Sequence, residues 1–145
     1  MNYLFDTNIL LHYVRRSPLK AQIEADFNPT SSRNTVLVSV VSLGEIQSLA
    51  LQNNWGEQRM KLLAEISKQY LIADINSADV IQRYAEIDAF SQGKLSGRPL
   101  GMSARNMTKN DLWIAAVASV LNATLITTDG DFDHLDSIFL KLAHI

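Results

Sequence analysis

Short apolar runs alternate with helix-like periodicity from one end of this chain to the other, and that alternation restricts the fold more than any single residue does. Strands separated by helices pair in parallel, and the connecting helices cover both faces of the sheet they form. Asn2 to Phe5 reads as a first strand. The following Asp6-Thr7-Asn8 offers helix caps ahead of the apolar Ile9-Leu10-Leu11. A second helix is expected from Ser17-Pro18 to about Phe27, closed by the loop Asn28-Pro29-Thr30-Ser31-Ser32. Thr35 to Val40 is short and β-branched, which suits a buried parallel strand, and a helix is expected from about Ser42. Gly56 separates that helix from another over Glu57 to about Lys68, after which Tyr70 to Ala73 is a third strand candidate. Ser77 caps a helix reaching about Ser91.

From Gln92 to Asn110 the periodicity dissolves into glycines, Pro99 and the basic residues Lys94, Arg98, Arg105 and Lys109, and the segment reads as a mobile loop. Thr108 or Asn110 caps a helix to about Asn122, and Ala123 to Thr128 supplies a fourth strand before the turn Asp129-Gly130-Asp131. Phe139 to Leu142 is a candidate fifth strand. No repeat or boundary divides the chain, so residues 1–145 are expected to form one domain.

Composition removes several classes of function. With 47% hydrophobic and 19% charged residues the chain is too apolar to be disordered, and its length allows about 70% of the unfolded surface to be buried. The absence of cysteine excludes disulfides, thiolate zinc sites and cysteine nucleophiles, and is compatible with a reducing cytosol. The opening Met1 to Asp6 lacks the pattern of a signal peptide, and the apolar stretch Leu112 to Leu121 is shorter than the roughly 20 residues a bilayer requires. A soluble, cytoplasmic protein is expected. The net charge of −2 gives no global attraction for nucleic acid, so such a partner needs a local basic patch.

Four acids stand at element ends. In open α/β sheets, ligands bind beyond the carboxyl ends of the strands. Asp6 directly follows the first strand and Asp129 the fourth, so the two carboxylates meet if those strands are neighbours. Glu45 lies at the edge of the apolar arc Leu43, Ile46, Leu49 and Ala50. Asp111 opens a helix that is apolar nearly all round, and Ala115 and Ala118 on its face allow close approach to the sheet. Each acid also has an ordinary use: Asp6 as a cap, Glu45 as a solvated glutamate, Asp111 as a complement to the helix dipole, and Asp129 in a turn. Their coincidence is what points to chemistry. Clustered, half-buried carboxylates raise one another's pKa unless a cation neutralises them. An all-oxygen donor set suits Mg²⁺, with Mn²⁺ as the alternative, and no histidine pair has zinc-site spacing.

The segments Tyr3-Leu4-Phe5-Asp6-Thr7-Asn8, Ser42-Leu43-Gly44-Glu45, Asn110-Asp111-Leu112-Trp113-Ile114-Ala115-Ala116 and Thr127-Thr128-Asp129-Gly130-Asp131-Phe132 resemble, in this order and spacing, the PIN-domain family. Within it they are similar to the short VapC-type toxins of bacterial toxin-antitoxin pairs. The resemblance implies a three-layer αβα sandwich on a central parallel sheet of four or five strands. It implies a Mg²⁺-dependent endoribonuclease that hydrolyses RNA phosphodiesters through a metal-activated water, frequently homodimeric and blocked by a cognate antitoxin. It also implies Asp6, Glu45, Asp111 and Asp129 as the catalytic and metal-binding acids, with Asp131 assisting or replacing Asp129. Thr7, Asn8, Thr127 and Thr128 are candidates to orient ligands, and Lys94, Arg98, Arg105 and Lys109 to neutralise RNA phosphates. The long stretch from Gln92 to Asn110 and the polar, helical Gly56 to Tyr70 depart from the shortest toxins.

Two other functions fit parts of the sequence. One is a non-catalytic PIN scaffold that binds RNA or protein, against which stands the presence of all four acids. The other is a phosphotransferase that uses Asp6, although the second acid usual beside such a residue is missing from Asp6-Thr7-Asn8. No Ser-His-Asp grouping is legible, and His12, His134 and His144 read as surface or helix-end residues. Trp113 reads as core rather than as a platform for a base, a use open to Trp55.

Overall fold

A computed structural model describes residues 1–145. Five strands, β1 (Asn2–Phe5), β2 (Thr35–Ser39), β3 (Leu71–Ala73), β4 (Thr124–Thr127) and β5 (Lys141–His144), form one sheet in the order β3-β2-β1-β4-β5. Every pair is parallel. Chain order therefore reverses between β1 and β4, the position at which open α/β sheets leave a crevice for ligands.

Strand side chains alternate between two cores. Tyr3, Phe5, Val36, Val38 and Ile126 face one way, into the layer of α1 (Thr7–Arg15), α2 (Pro18–Phe27), α3 (Val40–Gln52) and α4 (Glu57–Gln69). Leu4, Leu37, Ala73 and Leu125 face the other way, onto α5 (Ala78–Ser91), α6 (Lys109–Val120) and the 3₁₀ helix Gly130–Leu135. The result is the three-layer αβα sandwich expected from the sequence. Helix α6 carries the most buried residues of any helix, with Ile114, Ala115, Ala116, Val117 and Ala118 all fully buried.

Two boundaries and one loop differ most from the sequence reading, each for a physical reason. β2 stops at Ser39 because the Ser39 hydroxyl accepts from Val41 N at 3.1 Å, which starts α3 at Val40 rather than near Ser42. β5 begins at Lys141 rather than Phe139, because Ser137 N donates to Leu140 O and Phe139 N to Leu135 O, which folds the preceding residues into a turn. The stretch after α5 does not stand free as a mobile loop. Leu95, Leu100 and Met107 pack against the core, and Arg105 N donates to Ser91 O at 2.7 Å.

Small side chains set how closely α6 approaches its neighbours, so an enlarged one must displace packed atoms. Ala115→Leu is expected to destabilise the protein by about 1–3 kcal/mol, whereas the same change at exposed Ala85 should stay within about 0.5 kcal/mol. Urea unfolding of the two variants measures the difference.

Candidate metal centre

Phe5 pairs with Ile126 in the β1–β4 ladder, so the residues that follow them, Asp6 and Thr127, lie side by side at the carboxyl end of the two strands. The Thr127 hydroxyl donates to Asp6 Oδ2 at 2.7 Å, and the Thr127 oxygen accepts from Asp129 N at 3.0 Å. Asp6 Oδ1 accepts from Thr7 N at 2.8 Å, which makes Asp6 the N-cap of α1 as well. Its side chain is 4% exposed. Burial pushes its carboxyl pKa up, an effect opposed by the Thr127 and Thr7 hydrogen bonds and reinforced by the charges of Asp129 and Glu45.

From the other side, α3 brings Glu45. The Thr7 hydroxyl donates to Glu45 Oε1 at 2.9 Å and lies 3.0 Å from the hydroxyl of Ser42, one turn before Glu45. Helix α6 brings Asp111, its start fixed by Thr108, whose hydroxyl accepts from Asp111 N at 3.2 Å. Burial, followed by the charges of Asp6 and Asp129, pushes the Asp111 carboxyl up to about 6. Asp129 Oδ1 accepts from Asp131 N at 2.9 Å, and one carboxylate oxygen from each of Asp111, Asp129 and Asp131 lies within 4.8 Å of the others.

All the sequence-predicted acids thus converge, with Asp111, Asp129 and Asp131 forming the tightest group and Asp6 and Glu45 coupled to it by charge. The donors fit a hard divalent cation. They are carboxylate oxygens only, and no lysine or arginine forms a salt bridge with any of them; the one ion pair in the molecule joins His144 to Asp133. An open groove of about 600 Å³, lined by Val40, Glu45, Ser48, Gln52 and Asn110 among others, runs along α3 beside Glu45.

Thr7 and Thr127 contact acids as described, whereas Asn8 and Thr128 make no side-chain hydrogen bond with them. The four basic residues separate. Arg105 is half-buried and donates to Gly130 O at 3.4 Å, beside Asp129. Lys109 is exposed two residues before Asp111. Lys94 is exposed just beyond α5. Arg98 instead stacks on Phe139 at 4.8 Å, and the Phe139 carbonyl accepts from Ser119 near the far end of α6, about 12 Å along that helix from Asp111. His134 is not a surface residue but is 93% buried, with 7% exposed. Trp113, half-buried, packs on Tyr84 with centroids 4.2 Å apart. Ser42, named in the sequence only as a helix start and as part of the Ser42-Leu43-Gly44-Glu45 segment, was given no role at the site, although its place three residues before Glu45 on one helix was the available signal.

The architecture and site together define a doubly wound α/β domain with an acidic centre at its switch point. The chain matches the PIN domain family over residues 3–138 and belongs to that family. No curated protein matches it in sequence. Among solved structures it is similar to a chain of VapBC2 from Rickettsia felis bound to a DNA fragment from their promoter, at 26% identity and a TM-score of 0.77, covering 99% of this chain and 98% of that one. VapBC-1 from nontypeable Haemophilus influenzae is similar at 23% identity and a TM-score of 0.72, again covering 99% and 98%. A member of the VapBC family of toxin-antitoxin systems, VapBC-5 from Mycobacterium tuberculosis, has 22% identity and a TM-score of 0.65 over the same coverage. The latter two likenesses concern the fold.

Because Asp111 holds its proton more tightly when folded than at its ordinary value of 3.8, stability falls as pH rises from about 4 to about 6 and stays reduced above. The full shift corresponds to about 3 kcal/mol, and screening of a carboxyl that is only half-buried reduces this to about 1 kcal/mol. Asp111→Asn should therefore melt about 3 °C higher than the parent at pH 7 without divalent cations, the gain vanishing below about pH 4. Thermal unfolding at both pH values checks the sign.

Proposed function

We propose that this PIN domain is a divalent-cation-dependent endoribonuclease, using Mg²⁺ or Mn²⁺, and that it is the toxin of a toxin-antitoxin pair. The observation that carries the reading is the convergence of Asp6, Glu45, Asp111, Asp129 and Asp131 from separate elements with no protein cation set against them. Asp111, Asp129 and Asp131 would hold the cation, with Asp6 and Glu45 completing the negative field. A bound divalent cation supplies positive charge opposite a phosphodiester and makes water more acidic. The chain's own contribution is placement. Thr127 and the Thr7 amide fix both Asp6 oxygens, and the Thr7 hydroxyl, which also contacts the Ser42 hydroxyl, donates to Glu45. An Asp6 so engaged is poorly placed as a phosphoryl acceptor, which disfavours the phosphotransferase reading.

Association with toxin-antitoxin complexes is carried over from the solved structures whose fold this chain shares. The exposed Leu51, Met60, Leu71 and Ile72 provide apolar surface for a protein partner, whether an antitoxin or a second copy of the chain.

Cleavage of a fluorescent single-stranded RNA tests the catalytic reading. Activity should require Mg²⁺ or Mn²⁺, stop with EDTA, and fall at least about 100-fold in Asp6→Asn and Asp111→Asn. Cutting that survives EDTA and both substitutions would rule the site out. The separation of the basic residues gives an independent expectation. Arg105→Ala and Lys109→Ala should each lower the slope of log affinity against log salt by about 1, while Arg98→Ala should leave it unchanged. Fluorescence anisotropy on a catalytically inactive background measures the slopes.

A further inference from the structure

One buried titratable group has no part in the mechanism above. His134 sits in the 3₁₀ helix that follows Asp129, with its ring parallel to that of Phe90, the planes 4° apart and the centroids separated by 6.3 Å. Its Nε2 lies 2.7 Å from the hydroxyl of Ser91, the last residue of α5, and its buried Nδ1 has no partner. Desolvation, with Arg105 adding to it, pushes the pKa of the ring down and favours the neutral form. A neutral ring carries one proton. Placing it on Nε2 lets the imidazole donate to Ser91 and leaves Nδ1 as a bare acceptor, which costs less than an orphaned buried N–H.

The same serine fastens the loop. Ser91 O accepts from Arg105 N at 2.7 Å, and the Arg105 guanidinium donates to Gly130 O at 3.4 Å. Gly130 opens the 3₁₀ helix that carries His134 four residues later. Ser91, Arg105, Gly130 and His134 thus close a ring of contacts around the turn that bears Asp129 and Asp131. Short 3₁₀ segments have poor intrinsic hydrogen bonding, so the orientation of this turn depends on what fastens it. An apolar side chain at 134 would fill the same space without an unpartnered nitrogen. What the imidazole adds is one directional bond between α5 and the acid-bearing turn.

We infer that His134, through its bond to Ser91, is a positioning residue that orients Asp129 and Asp131 toward Asp111 for cation binding. This rests on the metal reading given above. The test is Mn²⁺ titration by calorimetry on the full chain, together with kcat and KM on RNA. His134→Leu should weaken Mn²⁺ binding about tenfold, the lower end of the range for outer-shell partners of metal ligands. It should lower kcat with KM unchanged and still unfold cooperatively. His134→Gln, which keeps a donor at the reach of Nε2, should recover binding to within about threefold of the parent. Ser91→Ala removes the same bond from α5, should weaken Mn²⁺ binding to a similar extent, and serves in place of His134→Leu if that variant does not fold. Parent-like affinity in a folded His134→Leu or Ser91→Ala protein would overturn the inference alone, as would equal losses in His134→Leu and His134→Gln. A parent chain that binds no Mn²⁺ would overturn the metal reading and the positioning role together.

Discussion

The pairing of β1 with β4 is the constraint on which the rest of the molecule depends. These strands are the first and the fourth along the chain, yet they lie at the centre of the sheet, and their register sets Asp6 beside Thr127. A shift of one residue would send Leu4 and Leu125 into the opposite core and leave the Asp6 carboxylate without its hydroxyl donor. The hydrophobic alternation that builds the two cores therefore also places the buried acid. Packing and chemistry are specified by the same few residues.

Charge is the cost of this arrangement. Burial drives Asp6 and Asp111 toward their neutral forms, and the neighbouring carboxylates push in the same direction. Hydroxyl and amide donors reduce the penalty at Asp6, while Asp111 has only its capping threonine close by. The two acids consequently play different physical parts. Asp6 is a fixed element of the frame, held through both carboxylate oxygens, and Asp111 is the less restrained of the two. The basic residues of the neighbouring segment form no salt bridge with either acid. Arg98 is held against Phe139, and Arg105 is turned to a backbone carbonyl.

Much of this was legible in the sequence because it depends on local patterns. Short β-branched runs, capping residues at Asp6, Ser77 and Thr108, and the all-round apolar surface of the Asp111 helix each reflect interactions within a few residues. The candidate acids could be marked because element ends are visible in one dimension. What escaped depends on distant partners. The start of β5 was set by a turn closing onto Leu135, and the Gln92 to Asn110 segment, polar and rich in glycine, gave no hint that Leu95, Leu100 and Met107 would draw it onto the core. His134 lies at a helix end as read, but its burial was not legible, because a lone histidine in a polar stretch carries no sign of it. Its partner Ser91 lies 43 residues away.

The central pairing has a consequence for synthesis. Asp6 is made well before its hydroxyl partner, which follows 121 residues later. Long-range pairing of this kind must wait until the later segment is available to fold. A nascent chain still lacking β4 has neither the neighbour strand nor the turn that carries Asp129 and Asp131. It therefore cannot assemble the acidic centre in that truncated form, because the carboxylates of the late turn and the hydroxyl that holds Asp6 are both missing.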